Sequence, residues 1–285
     1  MKPVIVRGGG DVATGTIHRL CRSGYPVIVL ECERPSAIRR RVAFCQAVYE
    51  KTMTVEGITC TRAESLQEAL QAAAPQHPML LVDPRGDCLK DWKPDILIDG
   101  ILAKKNLGTR RDMAALTIAL GPGFEAGKDV DYVIETKRGH YLGRILEKGT
   151  AIPNTGVPGV IGGYGKERVI HAPQAGIFHQ IKDIGDWVDA GEEIGWIQTG
   201  EEEPCAPAGG QGADRKVPVR TEISGVLRGI IEEGFPVTEH FKLADVDPRA
   251  ESAAYCDLIS DKARCIAGSV LELVCGFEKR MEKAD

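Results

Sequence analysis

The sequence lacks the features that place a chain in a membrane, in a secretory pathway or on nucleic acid. No stretch reaches the ~18 to 20 consecutive apolar residues that span a bilayer, and Met1-Lys2-Pro3 leads into an apolar strand without the apolar core of a signal peptide. Lys and Arg number 36 against 41 Asp and Glu, so a general basic surface for phosphate backbones is missing. We therefore expect a cytoplasmic protein with no membrane partner and no nucleic-acid partner.

Metal-binding and nucleophile motifs are missing as well. The nine cysteines are an odd number and include no C-x-x-C pair, which favours buried thiols over a zinc site or a disulfide framework. His171, His179 and His240 share no ligand spacing, so we expect no metal. There is no G-x-S-x-G elbow. Catalytic residues cannot be named, and whether the chain is an enzyme stays open.

A glycine-rich turn between an apolar strand and a helix is the most informative motif present. Gly8, Gly10 and Ala13 fit the G-x-G-x-x-G/A spacing, in which small residues permit a tight turn and close approach to a phosphate. The first amides of the following helix would face an anion. A second apolar strand ends in Glu31, at about the ~20-residue interval where an acid meets a ribose hydroxyl. The predicted cofactor-binding residues of this turn are Gly8, Gly9, Gly10, Asp11, Thr14 and Glu31. A turn that binds nothing is the alternative.

A basic segment follows a later strand. Lys104 and Lys105 precede Arg110 and Arg111, which we expect to open a helix. Cations beside a helix N-terminus suit a polyanionic ligand such as a pyrophosphate, so Lys104 and Arg110 join the predicted cofactor site. A solvated basic loop explains the same residues equally well. His140 is a loop histidine without an identifiable partner.

The first 165 residues alternate apolar runs with helical segments, which is typical of a parallel sheet with crossover helices. We predict an α/β fold class with a Rossmann-like parallel sheet domain at residues 1–165. The predicted strands are Val4 to Val6, Val27 to Leu30, Thr52 to Val55, Leu80 to Val82, Ile96 to Ile98 and Tyr132 to Glu135. The predicted helices are Asp11 to Arg22, Ser65 to Ala74 and Arg110 to Ala119. Asp83 and Asp99 end strands, where they bind a ligand or cap a turn.

Residues 166–250 read as a β-rich module with an internal repeat at an offset of 49 residues. Gly176 aligns with Gly225 and Gly185 with Gly234, which suggests two matched turns. The repeat resembles the halves of biotinyl and lipoyl domains, a barrel-sandwich hybrid. Those carriers present a lysine between the halves, whereas this chain has a polar joint, residues 200–210, and no Met-Lys-Met. Residues 251–285 are expected to form a C-terminal helix, N-capped by Ser260, that packs back on the domains.

Motifs at both ends of the chain together resemble one family. The motifs in the first part are residues 7–15, Glu31 with Pro35, 37–40, 42–44 and 47–50, and those in the second part are 224–229, 245–249 and 259–264. They resemble the YqeB-type proteins of the selenium-dependent molybdenum hydroxylase system. The family's repeats commonly carry glycine near the second turn, where this chain has His240.

The resemblance implies a cytoplasmic accessory protein that helps to mature a molybdenum hydroxylase. It implies a nucleotide or a molybdopterin-type cofactor at the N-terminal glycine loop and the apo molybdenum hydroxylase as the partner. It assigns no catalytic residue. How selenium is involved and whether the chain forms a homo-oligomer stay open.

Two other functions are compatible with the sequence. An NAD(P)-dependent oxidoreductase would use Glu31 on the adenosine ribose, although NAD is the less favoured ligand because no clear proton donor accompanies it. A non-catalytic lipoyl-like interaction module would use the β-rich part alone.

Overall fold

The structure is a computed structural model that describes residues 2–154, 156, 159–199 and 215–283. The predicted joint at residues 200–210 lies outside these residues. The chain groups into two compact units, one of residues 1–35, 41–155 and 257–285, the other of residues 36–40 and 156–256. The C-terminal helix thus belongs to the α/β unit. The short segment 36–40 belongs to the β-rich unit. The division predicted from the sequence, with boundaries after residues 165 and 250, does not include this segment in that unit.

The described residues form nineteen strands and four α-helices. The strands of the first unit are β1 Val4–Arg7, β2 Val27–Glu31, β3 Thr52–Val55, β4 Ile58–Ala63, β5 Met79–Val82, β6 Ile96–Asp99, β7 Leu116–Leu120, β8 Glu125–Ala126, β9 Tyr132–Ile134, β10 Ile145–Leu146 and β11 Gly149–Thr150. Those of the second unit are β12 Val169–His171, β13 Gly176–Gln180, β14 Trp187–Val188, β15 Glu193–Thr199, β16 Arg215–Arg220, β17 Gly225–Ile230, β18 Pro236–Val237 and β19 Lys242–Asp247. The helices are α1 Asp11–Arg22, α2 Ala47–Glu50, α3 Leu66–Ala72 and α4 Asp261–Met281.

The first unit is built on a sheet that, in the described residues, has nine strands in the order β10-β9-β7-β6-β1-β2-β5-β4-β3. The seven strands from β9 to β4 run parallel. Arg7 of β1 lies opposite Leu30 of β2 and Asp99 of β6, so these strands end at one edge. The inner strands are buried on both faces, which explains their continuous Val, Ile and Leu runs.

The predicted fold class is wrong for this sheet, because the sheet is mixed and not purely parallel. At one edge β3 pairs antiparallel with β4, and at the other β10 pairs antiparallel with β9. The physical reason is clearest at the first edge, where Glu56 and Gly57 join the strands with φ of 43° and 81°. Two residues of positive φ form the tight turn that reverses the chain into a hairpin.

The second unit contains two four-stranded antiparallel sheets within the described residues. Their orders are β12-β19-β17-β14 and β16-β15-β13-β18. The 49-residue repeat is confirmed at the level of elements, because β13, β14 and β15 recur as β17, β18 and β19. Each short strand pairs outside its own repeat, β14 with β17 and β18 with β13. The two halves therefore interlock around a core that includes Phe178 and Leu227.

Backbone angles explain the matched turns of this repeat. Gly185 and Gly234 have φ of 97° and 71°, the left-handed region that favours glycine. His240, where the resemblance led us to expect glycine, also has a positive φ of 64°. The turn therefore has the left-handed backbone conformation at a histidine, which adopts this conformation less readily than glycine does.

The predicted strands all exist, and so do two of the three predicted helices. Asp11–Arg22 is helical over the predicted range, and Leu66–Ala72 forms the core of the second helix. The helix predicted from Arg110 to Ala119 is wrong: a short 3-10 turn at Arg111–Met113 leads into β7. The reason is burial on both faces of the sheet, since a short and mostly apolar run such as Leu116–Leu120 is also compatible with a buried helix.

Helix α4 packs along α1 and runs in the same direction. Near the start of both helices, a Cβ on Gly15 would lie 2.7 Å from Cβ of Ala263. Near their ends, the Tyr25 hydroxyl donates to Oε2 of Glu278 at 2.5 Å. Both helices therefore begin at the edge of the sheet where β1 ends, and they enclose a core that includes Ile17 and Ile266.

Candidate functional site

The candidate site lies at the carboxyl edge of the large sheet, beside β1. The chain proceeds from β1 outward to β2 on one side and later returns to form β6 on the other. In open α/β sheets such a reversal leaves a crevice between the two connections, and ligands bind there. The glycine turn of residues 8–10 leaves β1 at this point.

The first two glycines of the turn are required by the packing of the chain on itself. Gly8 has φ of 91°, and a Cβ there would lie 2.8 Å from Cα of Ile101. A Cβ on Gly9 would lie 2.9 Å from the backbone nitrogen of Cys45, which donates to the Gly9 carbonyl. These contacts give Gly8 and Gly9 a structural explanation that needs no ligand.

Gly10 differs from its neighbours because its Cα faces open space. It is the N-cap of α1, and a Cβ there would meet nothing within 4 Å. Asp11 follows as the first helical residue and is half-buried. The start of a twelve-residue helix carries a partial positive charge and orients amides outward, so this is where an anion can approach.

Thr14 holds the segment that follows β2 against the glycine turn. Its buried hydroxyl donates to the Gly9 carbonyl at 3.1 Å and accepts from the backbone amide of Phe44 at 2.9 Å. The predicted role of Thr14 as a ligand contact is therefore replaced by a structural one. It binds the glycine turn to the segment that follows β2.

Glu31 is close to the glycine turn, as predicted, but its carboxylate is engaged within the protein. Oε2 accepts from the Gly9 amide at 2.8 Å and Oε1 accepts from the Cys32 amide at 2.8 Å. A ribose hydroxyl would have to compete with both amides. This arrangement favours a role in shaping the turn.

Beneath the turn lies a buried network that sequence reasoning did not predict. Arg7 is 1% exposed and donates to the hydroxyl of Thr109 and to the Pro84 carbonyl. Thr109 in turn donates to Oδ2 of Asp99 at 2.6 Å. Burial raises the pKa of Asp99, against the opposing effects of Thr109 and Arg7. Arg7 therefore ties together the loops after β5 and β6 and does not face the start of α1 as a free cation.

The other strand-end aspartate caps a turn. Asp83 accepts from the backbone amides of Asp87 and Cys88, each at 2.9 Å. Burial acts to raise the pKa of Asp83, but these amides outweigh it and hold the pKa below its usual value. The capping alternative is the one that the structure supports for this residue.

The predicted basic cluster is dispersed over an exposed loop. Lys104 is exposed and has a φ of 63°. Arg110 is exposed and forms an ion pair with Asp112 at 3.0 Å, and Arg111 pairs with Asp131. Neither Lys104 nor Arg110 has a contact with the glycine turn among the interactions of the described residues. The solvated-loop interpretation fits these side chains better.

Lys262 is the cation that sequence reasoning missed. It lies in the first turn of α4, next to Ala263, which packs against Gly15 of α1. Burial lowers the pKa of the Lys262 amine below its usual value of 10.5, and the charge of Arg138 lowers it further. The carboxylates of Asp11, Glu135 and Asp261 act in the opposite direction and raise this pKa.

Two of the acidic side chains that act electrostatically on Lys262 have hydrogen-bond partners elsewhere. Glu135 follows β9, is 3% exposed, and accepts from the amides of Lys137 and Ile152 at 2.7 and 2.8 Å. Asp261 accepts from Arg138 at 2.8 Å. Residues 259–264 were among the family-like motifs. Because they are far in sequence from the glycine turn, the sequence did not predict that Ala263 packs against Gly15 of the helix after this turn.

In the part of the chain that the structure describes, no group of three His, Cys, Asp or Glu side chains is arranged to hold a metal ion. His140 is exposed on the turn after β9. No described helix has the length and apolar character needed to cross a bilayer.

Comparison with known proteins finds one informative relative. No protein-family model matches the chain. The uncharacterized protein YqeB of Escherichia coli is 47% identical over 269 residues, which cover 94% of this chain and 46% of YqeB. The chain thus spans about half the length of this curated relative. The match supports the YqeB-type resemblance, and the name says nothing about molybdenum or selenium.

Solved structures give only distant similarity. The ectoine utilization protein EutE from Ruegeria pomeroyi is 10% identical, with 86% of this chain and 85% of that chain covered and a TM-score of 0.26. A succinylglutamate desuccinylase/aspartoacylase from Rhodobacter sphaeroides is 14% identical, with 87% and 86% covered and a TM-score of 0.27. An aspartoacylase family protein from Mesorhizobium loti is 20% identical over 30% of this chain and 24% of that chain, with a TM-score of 0.24. Scores this low carry no argument about activity.

The sheet topology corrects the predicted fold description. The names Rossmann-like and barrel-sandwich hybrid are wrong for the two units. The large sheet is mixed, and the β-rich unit consists of antiparallel sheets. The sequence motifs resemble a glycine fingerprint and biotinyl half-repeats, but the folds of the two units are not the ones that these motifs predicted.

Proposed function

We propose that this YqeB-type chain is an accessory protein in the maturation of a selenium-dependent molybdenum hydroxylase, and that it binds the phosphate end of a nucleotide or molybdopterin-type cofactor at the start of α1. The observation that carries the binding step is Gly10. It is the glycine of the turn whose missing side chain leaves open space, and it lies at the N-cap of α1 beside the point where the strand order reverses.

The residues at this point fit a phosphate group. The absence of a Cβ on Gly10 allows an oxygen to approach the first amides of α1, and the helix N-terminus favours negative charge. Lys262, in the first turn of α4, and Asp11 attract each other, which lessens the repulsion between the Asp11 carboxylate and a phosphate. The phosphate is common to nucleotides and molybdopterin-type cofactors, so the geometry does not choose between them.

The β-rich unit is proposed to dock the apo molybdenum hydroxylase. Its described surface exposes large apolar side chains that include Ile177, Ile181 and Trp187. Aromatic and aliphatic side chains of this kind anchor many protein interfaces. Co-purification of the apo-hydroxylase with the wild-type chain, and its loss in Trp187→Asp, would support this part of the proposal.

Isothermal titration tests the binding step directly. Nucleoside triphosphates, nucleoside diphosphates and molybdopterin are titrated into the wild-type chain and into Gly10→Leu, whose side chain fills the open space. Gly268→Leu is the matched control, because Gly268 also faces open space but lies within α4. We expect Gly10→Leu to weaken binding at least about tenfold, or ~1.4 kcal/mol. Absence of binding of every ligand to the wild-type chain would overturn the proposal.

Two alternatives receive less support. An NAD(P)-dependent oxidoreductase would need Glu31 on the ribose, but this carboxylate is held by the amides of Gly9 and Cys32. A lipoyl-like interaction module would be recognised by added mass on a lysine. Intact mass spectrometry of the chain purified from its source separates that case from the others.

A further inference from the structure

We infer that the α/β unit has a further ligand site, a cleft at the amino edge of the large sheet that binds a free α-amino acid with an apolar side chain. The cleft has a volume of about 360 Å³, and all of its lining residues belong to this unit. Sites for small molecules commonly have volumes of ~300–1,000 Å³. The inference goes beyond the proposed function, because the glycine turn lies at the opposite edge of the sheet.

Two parallel strands and the end of a helix form the cleft. Leu116 is the first residue of β7 and Tyr132 is the first residue of β9, so both mark the amino edge of the sheet. Helix α4 begins at the carboxyl edge, and its last part therefore brings Phe277 and Arg280 to the amino edge. Leu116, Tyr132 and Phe277 pack on one hydrophobic core, which gives the cleft an apolar floor.

One wall of the cleft is an arginine that a fully used carboxylate holds in place. Oδ2 of Asp131 accepts from the amide and from the hydroxyl of Thr117, each at 2.9 Å. Oδ1 of Asp131 accepts from Nε of Arg111 at 2.5 Å, and Nη1 of Arg111 donates to the Gly127 carbonyl at 3.2 Å. The charges of Arg111 and Asp131 offset each other, so this wall is neutral and its geometry is fixed before a ligand arrives.

Two other charged residues of the cleft have opposite signs and do not neutralise each other. Arg280 and Glu147 both line the cleft, yet neither side chain has a hydrogen-bond or ion-pair partner among the described residues. A Cβ on Gly127 would lie 3.3 Å from the Glu147 carbonyl, which places Glu147 beside the residue that Arg111 contacts. Nη1 of Arg280 would lie 3.6 Å from a Cβ on Gly276, so the guanidinium folds back along α4.

A ligand with one charge of each sign satisfies both side chains at once. Its carboxylate accepts from the Arg280 guanidinium, and its ammonium group donates to the Glu147 carboxylate. A ligand with the carboxylate alone would meet an uncompensated negative charge at Glu147, and an amine alone would meet the positive charge of Arg280. The apolar floor at Leu116 and Phe277 takes the remaining part of the ligand out of water. These requirements together describe an α-amino acid with an apolar side chain.

Isothermal titration of the wild-type chain tests the site, with L-phenylalanine as the probe. Three matched compounds each lack one feature: N-acetyl-L-phenylalanine lacks the ammonium group, phenethylamine lacks the carboxylate, and glycine lacks the apolar side chain. We expect L-phenylalanine to bind and each of the other three to bind at least about tenfold more weakly, because each loses one class of contact. No binding of L-phenylalanine, or equal binding of all four compounds, overturns the inference.

Variants assign the two charges and separate this site from the proposed one. Arg280→Gln and Glu147→Gln should each weaken L-phenylalanine binding at least about tenfold, through the loss of a charge-assisted hydrogen bond. Arg19→Gln and Glu50→Gln change exposed residues outside the cleft and should leave the affinity unchanged. Urea denaturation shows whether each variant is folded. Gly10→Leu should bind L-phenylalanine as the wild type does, so failure at one edge of the sheet is distinguishable from failure at the other. Equal affinity in all variants would exclude the cleft as the binding site.

Discussion

Adjacent glycines in the turn after β1 have different duties, and substitution should separate them. Gly9→Ala places a Cβ 2.9 Å from the Cys45 nitrogen and 3.2 Å from a Val29 methyl group, so the backbone must shift. We expect a loss of about 1–3 kcal/mol in the free energy of unfolding, typical of overpacking. Gly10→Ala meets no atom and should cost at most about 1 kcal/mol, as a poorer N-cap. Urea denaturation of both variants measures the difference. Equal losses would contradict the assignment.

Glu56 should make stability depend on pH in the acidic range. Burial acts to raise the pKa of Glu56, but hydrogen bonds from Arg264 and from the Ile259 amide outweigh it and hold the pKa below 4.5. A lowered carboxyl pKa stabilises the fold above the unfolded-state pKa, and that stability is lost as pH falls through the folded-state pKa.

Glu56→Gln should therefore cost about 1.5–3 kcal/mol at pH 7, the range for hydrogen bonds to a charged group. The difference from the wild type should shrink as pH falls below ~4.3. Urea denaturation at a series of pH values gives this profile, with the exposed Glu50→Gln as control. A difference that stays constant with pH would exclude the carboxylate as its source.

Sequence reasoning located the glycine turn and Glu31 correctly, but it could not tell which groups they serve. The spacing of Gly8, Gly9 and Gly10 shows that small residues are needed, not whether backbone or ligand fills the space. Here Ile101 and Cys45 fill it at two of the three positions. The pairing of α1 with α4 was missed because it joins Gly15 with Ala263, roughly 250 residues apart, and no local pattern reports such a contact.

At the scale of elements, the close approach of α1 and α4 should be sensitive to one methyl group. Gly15→Ala adds a Cβ 2.7 Å from Cβ of Ala263. Because the two helices must separate to admit it, we expect a loss of about 1–3 kcal/mol in stability. Ala263→Gly alone should cost about 1 kcal/mol through helix propensity.

The double variant Gly15→Ala with Ala263→Gly should recover part of the loss, which a double-mutant cycle would show as a coupling energy of at least about 0.5 kcal/mol. Strict additivity of the two changes, measured by thermal and urea unfolding, would mean that the helices do not depend on this contact.

The elements that could be predicted are those with a local signature. Strand β1, helix α1 and the repeat of β13–β15 in β17–β19 follow from apolar runs, helical periodicity and matched glycines. Strand β7 was missed because Leu116–Leu120 is buried throughout, Thr117 included, and lacks a strand's alternation. The antiparallel edges depend on hairpins such as Glu56-Gly57, where the glycine is the only local sign of a turn. The prediction of a parallel sheet was wrong at these edges.

At the scale of the whole molecule, each unit has its own hydrophobic core. Phe178 is fully buried in the second unit, and truncation to alanine should cost about 3–5 kcal/mol there. We expect Phe178→Ala to speed amide hydrogen exchange in β13 and β15 while the amides of β1 and β2 keep their protection. Ile17→Ala is the reciprocal variant, because Ile17 is buried in the core of the first unit. Equal loss of protection in both units would show that the cores unfold together.

The pairing of α1 with α4 has a consequence for the order in which the protein is made. Helix α1 ends at Arg22, and α4 begins at Asp261, about 240 residues later. At ~5–20 residues per second, a ribosome needs roughly 12 to 48 s to cover that distance. During this time the face of α1 that carries Gly15 and Ile17 lacks its native cover. A nascent chain can thus complete β1 and its glycine turn early, but the helix that covers α1 arrives only near the end of translation of this region.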